Sequence, residues 1–491
     1  MGIPDSLNMS HDKVELESGQ SVKNSTLEVV CIDHAAEKKL VRKLDWYIIP
    51  TVMTTYLLCF LDRVNIGNAR LYNLEADLGL TGSQYQMAVS VLFITYVLIE
   101  VPSNLLLKRF TPSRWIAIIT VVWGIISTLT GVVQDFAGLV VCRLLLGLVE
   151  GGLFPGLTVY LTLFYTKKEI ALRIAYLFVS SALAGACGGL LAYGIGFMSG
   201  IAGMSGWRWI FIVEGIPTVL FGVALWFLLA DDPSTAWYLT PAERELLVNR
   251  LERQTGFHSE FNKEDAILAA KDWKVWLFAA AQFGTNSMLY SFSIFLPTII
   301  KGLGGWTSTQ AQALTVPCYA LGAITYILVA RLSDAQQLRG PYQTLFASIC
   351  IVGYGVLIAP TSAAVHYFAC FVVAFGLYVA AGIPLAWLPT NNPRYGKRTT
   401  ASAIQITICN CSGILAPFLY PASDAPHYIT GYAVSIGLLS YGICIFGFMS
   451  LYFIRVNESR KAGKEDHKIV GMTDAEVDAL GDRSPRFIYT F

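Results

Sequence analysis

Residues 365–388 read V-H-Y-F-A-C-F-V-V-A-F-G-L-Y-V-A-A-G-I-P-L-A-W-L, without one Asp, Glu, Lys or Arg. As a helix, a run of this length measures roughly 36 Å, at 1.5 Å of rise per residue. The hydrocarbon core of a bilayer is about 30 Å thick and takes about 20 residues to cross. Strands of membrane barrels are shorter and alternate in polarity, so continuous apolarity over this length excludes a barrel. A lipid-spanning segment must satisfy its own backbone, which leaves the helix.

Runs of the same kind lie at 46–69, 85–107, 115–133, 136–164, 172–199 and 207–230 before the quoted stretch, and at 273–298, 309–331, 342–361, 399–421 and 428–454 around it. A polar stretch at 231–272 divides them six and six. The expected fold is all-α: a polytopic membrane protein of 12 transmembrane helices in two six-helix bundles, at 45–230 and 273–455. A linker at 231–272 joins them, and polar tails at 1–44 and 456–491 flank them. Hydrophobic residues make up 54% of the chain and charged ones 14%, against about a quarter in soluble domains. A net charge of +1 argues against nucleic acid held on a basic surface. The polar start has no short apolar core of the signal-peptide kind. The cysteines, among them Cys59, Cys142, Cys187 and Cys370, follow no metal-ligand spacing, and the Cys409–Cys411 pair is too short for a redox C-x-x-C. They read as small buried hydrophobes. No metal and no cofactor is expected, and no G-x-x-x-x-G-K-[ST] loop for ATP is present.

Orientation follows from basic residues in the short loops. One side holds Lys108, Arg109, Arg114, Lys167, Lys168, Arg173, Arg331, Arg339, Arg394, Lys397 and Arg398; the other holds only Arg70, Arg208 and Lys301. Both termini and the linker are therefore expected in the cytosol, with the chain in the plasma membrane as a monomer.

Ionisable residues within spans cost at least about 2.5–3.5 kcal/mol each and usually face a water-filled cavity. The first span carries Asp62 and Arg63 in Y-L-L-C-F-L-D-R-V-N-I-G-N-A. Adjacent residues on a helix point about 100° apart, so each needs a partner elsewhere. They line a cavity or sit at the outer mouth. The fourth span carries Arg143 and Glu150 in C-R-L-L-L-G-L-V-E-G-G-L-F-P-G, two turns and about 10 Å apart on one face. A buried acid beside a buried arginine suits proton coupling; the alternative is a structural ion pair to another helix. Arg143 shares its face with Glu150 and is expected to serve that acid, which leaves Arg63 freer to anchor an anion. Glu100 could anchor a cytosolic gate, and Glu214 could hold a loop or pair with Arg208. The second half offers neutral groups that could shape a substrate: Gln282, Asn286, Tyr290, Asn391, Asn392, Gln405 and Asn410. Gly185 and Gly189 allow close helix approach, and Pro102, Pro155, Pro217, Pro297 and Pro384 could kink their spans.

The six-plus-six layout resembles the major facilitator superfamily. The segments L-D-R-x-N-I-G-N-A, E-x-P-S-N-L-L-L-K-R-F-x-P-S-R-W at 100–115, R-L-L-L-G-L-x-E-G-G-L-F-P-G at 143–156, G-W-R-W-I-F-I-x-E-G-I-P at 206–217 and D-x-P-x-x-A-W-Y-L-T-P-A-E-R ending at Arg244 resemble the anion:cation symporter family. Within it the chain is most similar to the fungal allantoate permease group of nicotinate, vitamin and ureide carriers. The resemblance runs from about Lys43 to Arg455. It implies alternating access and coupling of protons, through Asp62 and Glu150, to a small organic anion bound by Arg63 and Arg143. Asn286, Tyr290 and Asn410 complete the substrate-binding set, and Glu100 and Asp334 the gating set. The chain departs from the superfamily loop pattern: the 2–3 loop lacks the aspartate of G-x-x-x-D-R, and R-L-S-D at 331–334 lacks the basic residue directly after it. A facilitator or exchanger without protons is the rival within the fold. A receptor would need a signalling domain for which the linker and tails leave no room, and an enzyme would need a nucleophile–base pair that is absent.

Overall fold

The computed structural model describes residues 34–106, 111–254 and 263–491. Lys108 and Arg109, counted above among the loop charges, lie outside the described residues. Helices carry the architecture. The first half holds α1 (His34–Arg70), the short α2 (Leu74–Asp77), α3 (Gly82–Leu106), α4 (Pro112–Thr130), α5 (Phe136–Glu150), α6 (Leu153–Phe164), α7 (Lys167–Gly196) and α8 (Gly206–Leu228). The linker forms α9 (Pro241–Gln254) and α10 (Lys263–Lys271). The second half holds α11 (Trp273–Leu303), α12 (Ser308–Gln336), α13 (Gly340–Ile358), α14 (Ala363–Thr390), α15 (Tyr395–Leu415) and α16 (Ile429–Lys461), with α17 (Asp474–Ala479) in the tail. Local signals start several of them. Asp135 caps α5 by accepting from the Gly138 amide at 2.7 Å, and Thr307 with Gln310 forms a capping box on α12.

Among the described residues, eleven segments are long and apolar enough to cross a membrane, Phe136–Phe164 counting as one. The twelfth is α11. Its 31 residues suffice in length, but Gln282, Thr285, Asn286, Ser287, Ser291 and Ser293, all buried, dilute its apolarity. Leu220, Phe227, Val352 and Phe368 stand exposed on the outer helix faces, as lipid-facing side chains do. The fourth span is interrupted in its hydrogen bonding at Gly151–Gly152, although both glycines keep right-handed helical dihedrals. Pro155 has no N–H to offer the Gly151 carbonyl, and its ring crowds that carbonyl, so α5 ends there and α6 continues the span. Among the described cysteines all are unpaired, and Cys59, Cys318, Cys350, Cys370 and Cys409 are buried, whereas Cys444 is exposed.

Glycines set how closely helices approach. A Cβ at Gly124 or Gly222 would meet the backbone of the facing helix in the α4–α8 pair. Gly185 and Gly189 lie against Tyr319 and Thr315 of α12, which is how the two halves meet at the end opposite the linker. At that same end Gly67 rests on the Ile294 carbonyl, and Gln312 Nε2 donates to the Asn68 carbonyl at 3.5 Å. At the linker end, α9 is tied to the first half: Lys43 donates to Glu243 at 2.7 Å and Arg250 to Glu169 at 2.5 Å. The second linker helix, α10, is tied to the second half by Asp265 and Arg394, 2.5 Å apart.

Candidate functional site

Between the halves lies a small cavity. From the first half it is lined by Tyr56, Phe60, Arg63, Tyr96 and Phe154, and from the second by Asn286, Tyr290 and Asn410 among others. Three sequence-derived candidates of the second half are thus neighbours. Tyr290 Oη donates to Asn410 Oδ1 at 3.1 Å. Asn286 Nδ2 donates to the Cys409 carbonyl and to Ser412 Oγ, both at 3.1 Å. The aromatic lining from the first half, Tyr56, Phe60, Tyr96 and Phe154, was missed in the sequence. Tyr96 stands one helical turn from Glu100, which is the signal that could have found it.

Arg63 is the cavity's cation. It is 6% exposed, and its guanidinium carbon sits 4.4 Å from the centre of the Tyr96 ring. Its Nε donates to Glu150 Oε2 at 2.9 Å, and Nη2 reaches Cys59 Sγ at 3.4 Å. The expectation that Arg143 holds Glu150 and leaves Arg63 free is therefore corrected. Two turns of α5 separate Arg143 from Glu150, a distance that side chains do not close along one face. Arg63 instead meets Glu150 from α1, at the point where the glycine break ends α5. Gly147 and Gly151 let the backbone of α3 approach α5 closely, which brings Tyr96 to the same place.

Asp62 and Arg63 have separate partners, as their angular offset requires. Asp62 accepts from Trp123 Nε1 and from Ser127 Oγ, each at 2.6 Å, both on α4. It is 2% exposed, inside the first half and not at its mouth. Arg143 is 1% exposed; its Nε and Nη2 find no hydrogen-bond partner among the described residues, and its carbon lies 5.5 Å from the Phe211 ring centre. Glu214 accepts from Asn65 Nδ2 at 2.7 Å. Its expected partner Arg208 instead donates to the carbonyls of Gly131 and Val133, at 3.1 and 2.8 Å. The Trp–Arg–Trp segment leaves Arg208 at the helix start, two turns from Glu214.

Glu100 spans the halves, accepting from Thr407 Oγ1 of α15 at 3.4 Å. Asp334 pairs with Arg339, so the missing basic residue after R-L-S-D is supplied five positions later. Among the described residues no cluster of three or more His, Cys, Asp or Glu could hold a metal ion.

Residues 52–417 match the sequence profile of the Major Facilitator Superfamily. An uncharacterised transporter of Schizosaccharomyces pombe is 39% identical over 467 residues, covering 94% of this chain and 92% of its own. The high-affinity nicotinic acid transporter of Saccharomyces cerevisiae is 33% identical over 490 residues, covering 99% of this chain and 91% of its own. A bacterial homologue of the human lysosomal transporter Spinster, in an inward-facing and occupied conformation, superposes with a TM-score of 0.66 at 16% identity, over 84% of this chain and 97% of that one. A D-xylose–proton symporter gives 0.63 at 17%, over 82% and 97%. These last two likenesses concern the fold.

Proposed function

The chain belongs to the Major Facilitator Superfamily, and on that footing we propose that this membrane transporter is a proton-coupled symporter of a small organic anion. One observation carries the reading: the cation that lines the cavity is also the partner of a buried acid. A carboxylate arriving in the cavity takes the planar fork of Arg63 by two parallel hydrogen bonds. Glu150 then stands without its cation in a dry interior, where an unpaired carboxylate is costly, and it takes a proton. When the anion leaves, Arg63 returns to Glu150 and the proton is released. Asp62 is the second coupling acid, and Arg143, with two unpartnered nitrogens, offsets whichever acid is ionised.

Asn286, Tyr290 and Asn410 form the neutral wall that reads the rest of the substrate. Glu100 gates between the halves through Thr407, and Asp334 braces the gate of the second half through Arg339. The two bundles rock about this cavity. The linker and both termini face the cytosol, and the chain works as a monomer in the plasma membrane. The similarity to the nicotinic acid transporter supports membership of the allantoate permease group, with nicotinate the first carboxylate to try.

Purified protein in proteoliposomes, offered labelled nicotinate, allantoate, pantothenate, biotin and tartrate in turn, tests this. Uptake of one of them should be accelerated by an inward proton gradient and collapse with a protonophore. Uptake that ignores both would make the protein a facilitator or exchanger.

A further inference from the structure

Asn65 and Glu214 form a second buried polar pair, outside the cavity lining. Asn65 is fully buried, and Glu214 is 6% exposed. Asn65 Nδ2 donates to Glu214 Oε2 at 2.7 Å. The remaining two oxygens of the pair, Asn65 Oδ1 and Glu214 Oε1, both lack a hydrogen-bond partner among the described residues. Two buried acceptors without a donor are costly.

Among the described residues no cation pairs with the carboxyl. Of the elements packed against it, α1 presents Asp62, which repels a negative charge, and α7 presents Cys187. The stretch of α4 that faces α8 presents Gly124 and Thr128, without charge. On its own helix, Arg208 is spent on the Gly131 and Val133 carbonyls. Arg143 reaches Phe211 a turn away and makes no ion pair with Glu214 among the described residues.

One proton resolves both orphans. Placed on Oε1, it turns that oxygen into a donor toward Asn65 Oδ1, while Nδ2 continues to donate to Oε2. Carboxylic acid and primary amide are self-complementary in this way, two antiparallel hydrogen bonds closing one ring. We propose that Glu214 is a proton-binding site that keeps its proton, standing as a neutral carboxylic acid in a cyclic pair with Asn65. The pair fastens α1 to α8 beside Asp62 and Arg63, so Glu214 is a positioning residue for those two and adds nothing to the protons carried. The proposal stands whether or not transport is proton-coupled.

Infrared spectra of the purified protein in lipid, without substrate or gradient, test it. A protonated-carboxyl C=O band that shifts on deuteration should be present throughout about pH 5–8, well above the ordinary glutamate range. It should disappear in Glu214→Gln, whose amide keeps the ring of hydrogen bonds and should leave the unfolding temperature within a few degrees of wild type. If Glu214→Gln does not fold, Asn65→Ala serves: the band should persist and move upward in frequency as the carboxyl loses its partner. A band unchanged in both variants, or one that appears only at the acid end of the range, would overturn the assignment.

Discussion

Arg63 on α1 and Glu150 at the end of α5 form a salt bridge of 2.9 Å, with side chains 5% and 0% exposed. The same guanidinium faces the cavity, so in the proposed function an incoming anion and Glu150 compete for it. Breaking a buried pair by removing one partner costs about 3–5 kcal/mol, which sets the scale of the proposed exchange. Glu150→Gln keeps an acceptor for Arg63 but no longer titrates. Concentrative uptake should fall at least about tenfold while exchange persists. Equal loss of both, measured side by side in proteoliposomes, would assign Glu150 to structure alone.

Arg63→Lys keeps the charge and loses the fork. Apparent affinity for the transported carboxylate should weaken by roughly ten- to a hundredfold, about 1.4–2.8 kcal/mol, with membrane insertion normal. Arg143→Lys should alter coupling more than affinity. Unchanged affinity in Arg63→Lys together with weakened affinity in Arg143→Lys would exchange the two roles.

Asp62 should depend on its two donors. Removing Ser127 Oγ or the Trp123 indole leaves one carboxylate oxygen unserved, at about 1–3 kcal/mol for a charged acceptor. Ser127→Ala should therefore shift the pH dependence of uptake toward higher pH, because the ionised form loses a donor and the protonated form does not. A pH profile identical to wild type would mean that Asp62 is not a coupling acid.

The spans were legible because apolarity over 20 residues is local information, and each expected span falls on one helix except 136–164, which α5 and α6 share. So were the ionisable residues, since their cost in hydrocarbon is local too. Their partners were not. Arg63 finds Glu150 across 87 positions, Asp62 finds Trp123 across 61, and Asn65 finds Glu214 across 149. These depend on which helices pack together and at what rotation. The α5–α6 junction was half legible: Pro155 announces a disturbance, but the close packing of Gly151 and Gly152 against α3 is visible only in the fold. The tail at 481–491, read in the sequence only as polar, is built into the second half. Asn457 and Tyr489 pair reciprocally, as do Asn391 and Thr490.

Asp482 in that tail lies between Lys274 and Lys397, whose Nζ atoms donate at 2.7 and 2.8 Å. Burial alone would raise its carboxyl, but the two ammonium groups outweigh burial and hold it below the usual aspartate range. A carboxyl lowered in the folded state stabilises above its unfolded value, near pH 3.9, and the contribution is lost as pH falls through the lower folded value. Asp482→Asn should thus lower the unfolding temperature by several degrees at neutral pH, and the gap to wild type should close as pH drops below about 4. A gap that does not vary with pH would mean that the lysines gain nothing from the charge.

The end opposite the linker is closed by Gly189 of α7 seated on Thr315 of α12. A Cβ built at Gly189 touches the Thr315 side chain directly, so cysteines at both positions fall within the Cβ···Cβ separation of about 3.5–4.5 Å that a disulfide needs. The two helices belong to different halves, and the proposed rocking must part them at this end for an external anion to reach Arg63. In a background lacking the native cysteines, Gly189→Cys with Thr315→Cys should cross-link under mild oxidation. Uptake should then cease and return on reduction, while either single variant keeps transporting after the same oxidation. Undiminished uptake by the cross-linked protein would show that the anion reaches Arg63 without the halves separating at this end, and the rocking mechanism would have to be abandoned.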